Sequence, residues 1–287
     1  MADLTQTCAA LNADEPLAGS AQGAVAHVFI EHLGPWPADP LEALDPSYAA
    51  GLRTLDAAVG LVRRPAPERD ASFGVPERPY IIVATNGQVA ATRTDGLPSF
   101  EELGDILASL TRGDVPDEWS APAWLVLVCT HARRDACCAR LGQPLIENLA
   151  EVADPSRLWE TTHLGGHRFA PTCLALPSQV AYGRVTRDRV SELIDALAAD
   201  EVLPDLMRGR TTYGPALQVA EIAARQRLDV RGRLELVATS EVDGVTTATW
   251  TADDRTLTVT VTARPGVPRK VTCAKDKTET KPVYEVA

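Results

Sequence analysis

Three of the six cysteines and three of the five histidines lie between residues 129 and 167. The window opens Cys129-Thr-His-Ala-Arg-Arg-Asp-Ala-Cys137-Cys138, runs on for twenty-four residues and closes His163-Leu-Gly-Gly-His167. Thiolate sulfur and imidazole nitrogen, brought together from two loops, are the donor types of a metal centre. Gly165 and Gly166 leave the backbone between the two histidines free to turn tightly against whatever the histidines hold. Arg133, Arg134 and Arg168 flank the cysteines and histidines; on loops they can hydrogen-bond to a centre or guide an acidic partner.

Other chemistries fit the same residues. Two cysteines with His-x3-His is a spacing that structural zinc uses, although eight residues between cysteines exceeds the usual two to four. Adjacent Cys137-Cys138 suggests a thiol redox pair, but there is no Cys-x-x-Cys at a strand–helix junction. A serine hydrolase lacks its Gly-x-Ser-x-Gly elbow. Cys8 reads as a free or packed thiol, Cys173 and Cys273 as buried thiols on strands, and His131 as a local hydrogen-bonding or capping residue.

The order Cys-x8-Cys followed by His-x3-His, with the glycine pair in between, resembles the sucrase/ferredoxin-like family. Pro16-Leu-Ala-Gly-Ser20 and Glu31-His-Leu-Gly-Pro-Trp36 extend that resemblance, which covers about residues 8–225. The resemblance implies a thioredoxin-like fold and a [2Fe-2S] cluster held by Cys129, Cys138, His163 and His167. Family spacing selects Cys138, whereas Cys137 would shorten the gap to seven. The word sucrase implies no glycosidase activity. Histidines can replace two cysteines on one iron, as in Rieske centres. Two thiolates then cancel the two positive charges of the oxidised core, and neutral imidazoles add none. Such a centre takes an electron more readily than an all-cysteine one, and a spare N–H on each imidazole lets its potential depend on pH.

The elements that must position these residues repeat. Val25 to Glu31 predicts a strand, ended by Gly34-Pro35-Trp36-Pro37. Residues 41–62 read as helix with loop, and 63–79 as surface loop. Tyr80–Thr85 and Gln88–Thr94 form a hairpin about Asn86-Gly87. Ser99-Phe-Glu-Glu102 is a capping box before a helix carrying Leu103, Ile106, Leu107 and Leu110. The second half follows the same order. Trp124–Val128 predicts a strand, and Leu141, Leu145, Ile146 and Leu149 a helix with Pro144 at its start or a kink. Leu158–Thr162 is a second strand, and a hairpin turns at Pro177-Ser178. The last helix, capped by Thr186, carries Val190, Leu193, Ile194 and Leu197. Leu217–Leu228 predicts a further helix, and from Arg233 onward alternation and turn signals predict a small antiparallel sheet.

The expected fold is therefore α/β: two tandem thioredoxin-like units plus a C-terminal β-rich extension. Residues 1–23 are a lead-in, 24–115 a unit without a cluster, 120–201 the ferredoxin unit, and 202–287 a helix with a small sheet. No cysteine lies between Cys8 and Cys129, so the first unit supplies no thiolate. A length of 287 residues with 45% hydrophobic content supports a sizeable core. A net charge of −11 argues against nucleic acid as a partner. Neither a targeting segment nor an apolar run long enough to cross a bilayer is evident, so a cytoplasmic location is expected, where clustered thiols stay reduced. No flavin or dinucleotide fingerprint appears. The function expected is one-electron transfer between a donor reductase and an acceptor, by a carrier rather than a self-sufficient enzyme, with no membrane or nucleic-acid partner.

Overall fold

The computed structural model describes residues 7–65, 74–273 and 277–287. A single helical turn, α1 (Cys8–Leu11), is capped by the Thr7 hydroxyl and precedes β1 (Ala26–Glu31), all of whose residues are buried. The Asp45 carboxylate accepts the Ser47 and Tyr48 N–H groups and so starts α2 (Pro46–Leu52). β2 (Ala58–Arg63) follows within the stretch expected to be helix and loop. Its run Ala58-Val-Gly-Leu-Val is short and apolar, and such a run is a buried parallel strand as readily as a helix. Residues 66–73 of the expected loop lie outside the described residues.

β3 (Tyr80–Thr85) and β4 (Gln88–Arg93) are joined by Asn86 and Gly87, with φ of 49° and 70°, the left-handed pair that a two-residue hairpin turn needs. The capping box of Ser99 and Glu102 opens α3 (Phe100–Thr111), which buries Leu103, Ile106 and Leu110. β5 (Leu125–Cys129), α4 (Ala136–Ala150) with Pro144 inside it, and β6 (Leu158–Thr161) begin the second half. β7 (Thr172–Leu176) and β8 (Val180–Gly183) pair next. Thr186 stands before a 3-10 turn and makes no side-chain cap, so α5 (Val190–Ala198) starts later than expected.

The strands form one nine-stranded curled sheet in the order β4-β3-β1-β2-β6-β5-β7-β8, with β9 (Met207–Arg210) added at the far edge. Each half repeats one pattern: a parallel pair (β1 with β2, β5 with β6) and then two antiparallel strands on the side of the first strand. The halves meet antiparallel where Val62 and Arg63 of β2 pair with Thr161 and Glu160 of β6. Helices pack on one face of each half: Leu103, Ile106 and Leu110 against Val28, Ile30 and Ile81, and Leu145, Ile146, Leu193 and Leu197 against Val126 and Val128. The opposite face needs no helix. There Phe29, Ile82 and Ala84 of the first half share a core with Leu125, Leu127, Trp159 and Leu174 of the second.

Residues 202–287 do not form a separate appendage throughout, because β9 belongs to the main sheet. α6 (Pro215–Leu228) then packs Val219, Ala220, Ala223 and Ala224 on a four-stranded sheet of β10 (Glu235–Val242), β11 (Val245–Ala252), β12 (Arg255–Arg264) and a last strand at Val283–Val286. Between them β13 (Pro268–Lys270) and β14 (Thr278–Thr280) pair as a small ribbon, and the last strand is β15. Among the described residues, no helix is long and apolar enough to cross a membrane.

Candidate metal centre

β5 delivers Cys129 to the end of the sheet, and the chain turns through His131 to the start of α4. The helix begins where it does because the Asp135 carboxylate accepts the Cys137 N–H at 2.9 Å. That places Cys137 and Cys138 in the first turn, on different sides. Cys138 joins Cys129 and His163, whose ligand atoms all lie within 4.8 Å of one another. Cys137 instead meets Cys8 and Cys273. The adjacent thiols are therefore not a facing redox pair.

α4 passes very close to the strand it follows. A Cβ on Gly142 would stand 2.1 Å from the Cys129 carbonyl oxygen, so only glycine permits this approach. The second donor loop follows β6. Cys138 Sγ lies 3.7 Å from His163 Nδ1, and the His163 and His167 rings are 5.1 Å apart. The Nε2–H of His167 donates to the Val271 carbonyl and lies 3.5 Å from Asp135 Oδ2. Its other nitrogen, Nδ1, is buried and has no hydrogen-bond partner. A buried ring nitrogen left open while its mate is held by a carbonyl and a carboxylate is how a metal-ligating histidine is oriented. Cys129, Cys138 and His163 thus form a mixed sulfur–nitrogen group that could hold a metal, and His167 stands beside His163 but outside that group.

The electrostatics favour one thiolate before any metal arrives. The Cys138 thiol hydrogen-bonds to Cys129 and, with His163 beside it, holds the Cys129 thiol well below its ordinary value against the cost of burial. The same interaction, together with burial, pushes Cys138 up. Burial holds His167 below the usual imidazole value, and the Asp135 charge partly opposes it.

Sequence reasoning missed Arg208. This residue on β9 is 1% exposed. Its guanidinium donates to the Gly165 carbonyl at 2.9 Å, to the Ser20 hydroxyl at 3.1 Å and to the Ser20 carbonyl. It thereby ties the Pro16–Ser20 stretch to the loop between the histidines. Burial lowers it to about 10, Arg168 acts in the same sense, and the sulfurs of Cys129 and Cys138 oppose both. A lone arginine among many carries no sequence signal of this role. The other early stretch also reaches the centre: His131 donates to the Pro37 carbonyl at 2.7 Å and packs edge-on to Trp36 at 6.0 Å. Its own Nδ1 is buried without a partner.

Two expectations change. Arg168 is buried and forms a two-pronged pair with Glu15 at 2.6 and 2.7 Å, so it is a structural tie rather than a free loop cation. Arg133 and Arg134 remain exposed and, with His167, Lys277 and Lys281, line a cavity of about 400 Å³. Cys273 sits in a bend after β13, half-buried, not on a strand, whereas Cys8 is a packed thiol, as expected, buried against Cys137 and Cys273. Cys173 is a buried thiol on β7, as expected.

"Altered inheritance of mitochondria protein 32" from Clavispora lusitaniae is 28% identical over 95 residues, 30% of this chain and 35% of that protein. The proteins of the same name from Debaryomyces hansenii and Meyerozyma guilliermondii are 27% and 29% identical, covering 35% and 36% of their lengths. The chain thus matches only about a third of the length of these curated relatives. No solved structure matches. The sucrase/ferredoxin-like pattern matches residues 17–209, which hold the whole Cys129-to-His167 window, the Glu31–Trp36 stretch and all of the other early stretch but Pro16, and on that match this chain belongs to the sucrase/ferredoxin-like family.

Proposed function

We propose that this chain is a one-electron carrier in which Cys129, Cys138, His163 and His167 hold a [2Fe-2S] cluster. The observation that carries this reading is the buried, unpartnered Nδ1 of His167 beside a compact group of Cys129, Cys138 and His163. When bound, the cluster supplies reversible one-electron chemistry. Cys129 is the thiolate already favoured by its surroundings. Val271 and Asp135 keep the outer N–H of His167 in place, and Arg208 sets the loop between the histidines while leaving a positive charge behind it.

The repeated strand order supports naming each half thioredoxin-like: 24–115 as the unit without a cluster, 120–201 as the ferredoxin unit, followed by 202–287, whose first strand β9 joins the main sheet and whose remainder is the extension. The carrier works between a donor reductase and an acceptor, in neither case a nucleic acid or a membrane. The cavity edged by Arg133, Arg134, Lys277 and Lys281 beside His167 suits an acidic group of the acceptor. The compartment proposed is the cytoplasm, on the ground that clustered thiols need a reducing one. The name of the relatives concerns mitochondria and makes that organelle the alternative.

A second reading, one structural zinc ion, is favoured by the short spread of the Cys129, Cys138 and His163 donors, within 4.8 Å. Iron and acid-labile sulfide in the purified protein decide. About two of each per chain support the cluster. About one zinc at these residues with no sulfide supports the other reading.

A further inference from the structure

Cys8, Cys137 and Cys273 come from the start, middle and end of the chain, as much as 265 residues apart. Their sulfurs nevertheless form a nearly equilateral triangle, with Cys8 to Cys137 at 3.4 Å, Cys137 to Cys273 at 3.2 Å and Cys8 to Cys273 at 3.5 Å. Asp135 Oδ1 stands 3.8 Å from Cys8 Sγ, and all four donors fall within 4.8 Å of one another. From this geometry we propose a second metal site, in which Cys8, Cys137 and Cys273 bind one zinc ion with Asp135 at the fourth position.

Zinc–sulfur bonds of about 2.3 Å in a tetrahedron set sulfurs about 3.8 Å apart, whereas a disulfide brings them to about 2.05 Å. The triangle lies much nearer the first value. A disulfide would also use two sulfurs and strand the third, while zinc uses all three equally. Neutral thiols are weak donors and weak acceptors, so three of them packed together gain little from each other. Each gives up its proton on binding the ion, and three thiolates with one carboxylate make the tetrahedral set zinc accepts.

The surroundings are built for this. The Cys8 N–H donates to Cys273 Sγ at 3.2 Å, an outer contact that steadies a thiolate ligand. Asp135 accepts the N–H of Cys137 at 2.9 Å and of Cys273 at 2.8 Å, and the Thr272 hydroxyl at 2.8 Å. It so fixes two of the three cysteine-bearing segments. Cys8 and Cys137 are buried, and the half-buried Cys273 leaves an entry path. The ion staples the segment after β13 onto α1 and α4. That segment includes Val271, whose carbonyl holds His167. The site itself uses none of the four residues assigned to the cluster.

The test is elemental analysis of full-length protein, with iron and zinc measured in the same samples after chelator treatment and desalting. Wild type and His163→Ala/His167→Ala should each keep about one zinc per chain. Cys8→Ser and Cys273→Ser should fall to background zinc while still holding iron. Cobalt(II) added to Cys129→Ser/Cys138→Ser should give the intense near-ultraviolet sulfur-to-metal bands of a thiolate-rich tetrahedral site, a readout that does not need the Cys8 or Cys273 variants to fold. Wild type without zinc that also fails to take up added zinc overturns the proposal. So does zinc unchanged in Cys8→Ser, no thiolate bands with cobalt, or a disulfide among these three cysteines in the protein denatured without reductant.

Discussion

Cys137 and Cys138 are neighbours in sequence, yet their sulfurs serve different groups. Cys138 Sγ is 3.7 Å from His163 Nδ1, and Cys137 Sγ is 3.4 Å from Cys8 Sγ. Successive side chains on a helix point about a quarter-turn apart, so one helical turn can feed two sites. Cys138→Ser should therefore lose the iron, and Cys137→Ser should keep it while losing zinc. Metal content of the two single variants checks this. Equal iron loss in both would remove the distinction, and the opposite pattern would reverse the assignment.

Gly142 sets how closely α4 approaches β5. The atom a Cβ would meet is a backbone carbonyl at 2.1 Å, which cannot swing aside. Gly142→Ala should cost about 1–3 kcal/mol of stability and lower iron occupancy, because Cys138 is pushed away from Cys129. Gly104→Ala on α3 is the control: its Cβ meets only Leu55, at 4.0 Å, and the change should be neutral or stabilising by up to about 1 kcal/mol. Denaturant unfolding and iron analysis of both variants would show the contrast.

His27 makes stability depend on pH. It is 5% exposed, its Nε2 lies 3.0 Å from Thr211 Oγ1, and burial lowers it from 6.5 to about 4. The unfolded chain binds the proton first as pH falls, so this contribution is complete above the unfolded value. It is lost progressively from about pH 6.5 down to about 4, by up to ~3 kcal/mol. His27→Gln should flatten that part of the stability profile. Wild type and variant losing the same amount between about pH 7 and pH 4.5 would exclude His27 as the cause.

Much of this architecture was legible. The capping box, the Asn86-Gly87 turn, the helix pattern at Leu103–Leu110 and the alternating C-terminal strands are local signals, and local signals survive folding. β2 was not legible because Ala58–Val62 is apolar on both faces, and period then cannot separate strand from helix. Arg208 was hidden because only the fold reveals that β9 lies beneath the histidine loop. Cys8 and Cys273 read as ordinary thiols because nothing local brings residues that far apart into contact. The four residues proposed to hold the cluster were named from the family resemblance of their motif, whereas the seating of His167 by Val271, more than a hundred residues away, was not legible.

On the proposed ligation, the histidines should give the potential a pH dependence. Reduction adds negative charge beside the imidazoles and raises their proton affinity. The midpoint potential should fall as pH rises, by up to about 59 mV per pH unit for each proton taken up with the electron. It should flatten at low pH, where the protons are already bound before reduction. Exchanging both histidines for cysteine should remove most of the slope and lower the potential, provided a cluster assembles. Potentiometric titration across pH is the measurement. A wild-type potential that does not move with pH would dismiss this role.

The central claim is that two nitrogens and two sulfurs hold the iron. Pulsed electron paramagnetic resonance of the dithionite-reduced protein reads it directly, because ligand nitrogens couple strongly to the unpaired electron. The account predicts couplings from two histidine nitrogens, absent from a cluster-bearing His163→Cys/His167→Cys variant. A reduced cluster with no strongly coupled nitrogen, or a protein that holds only zinc and gives no signal, would contradict it.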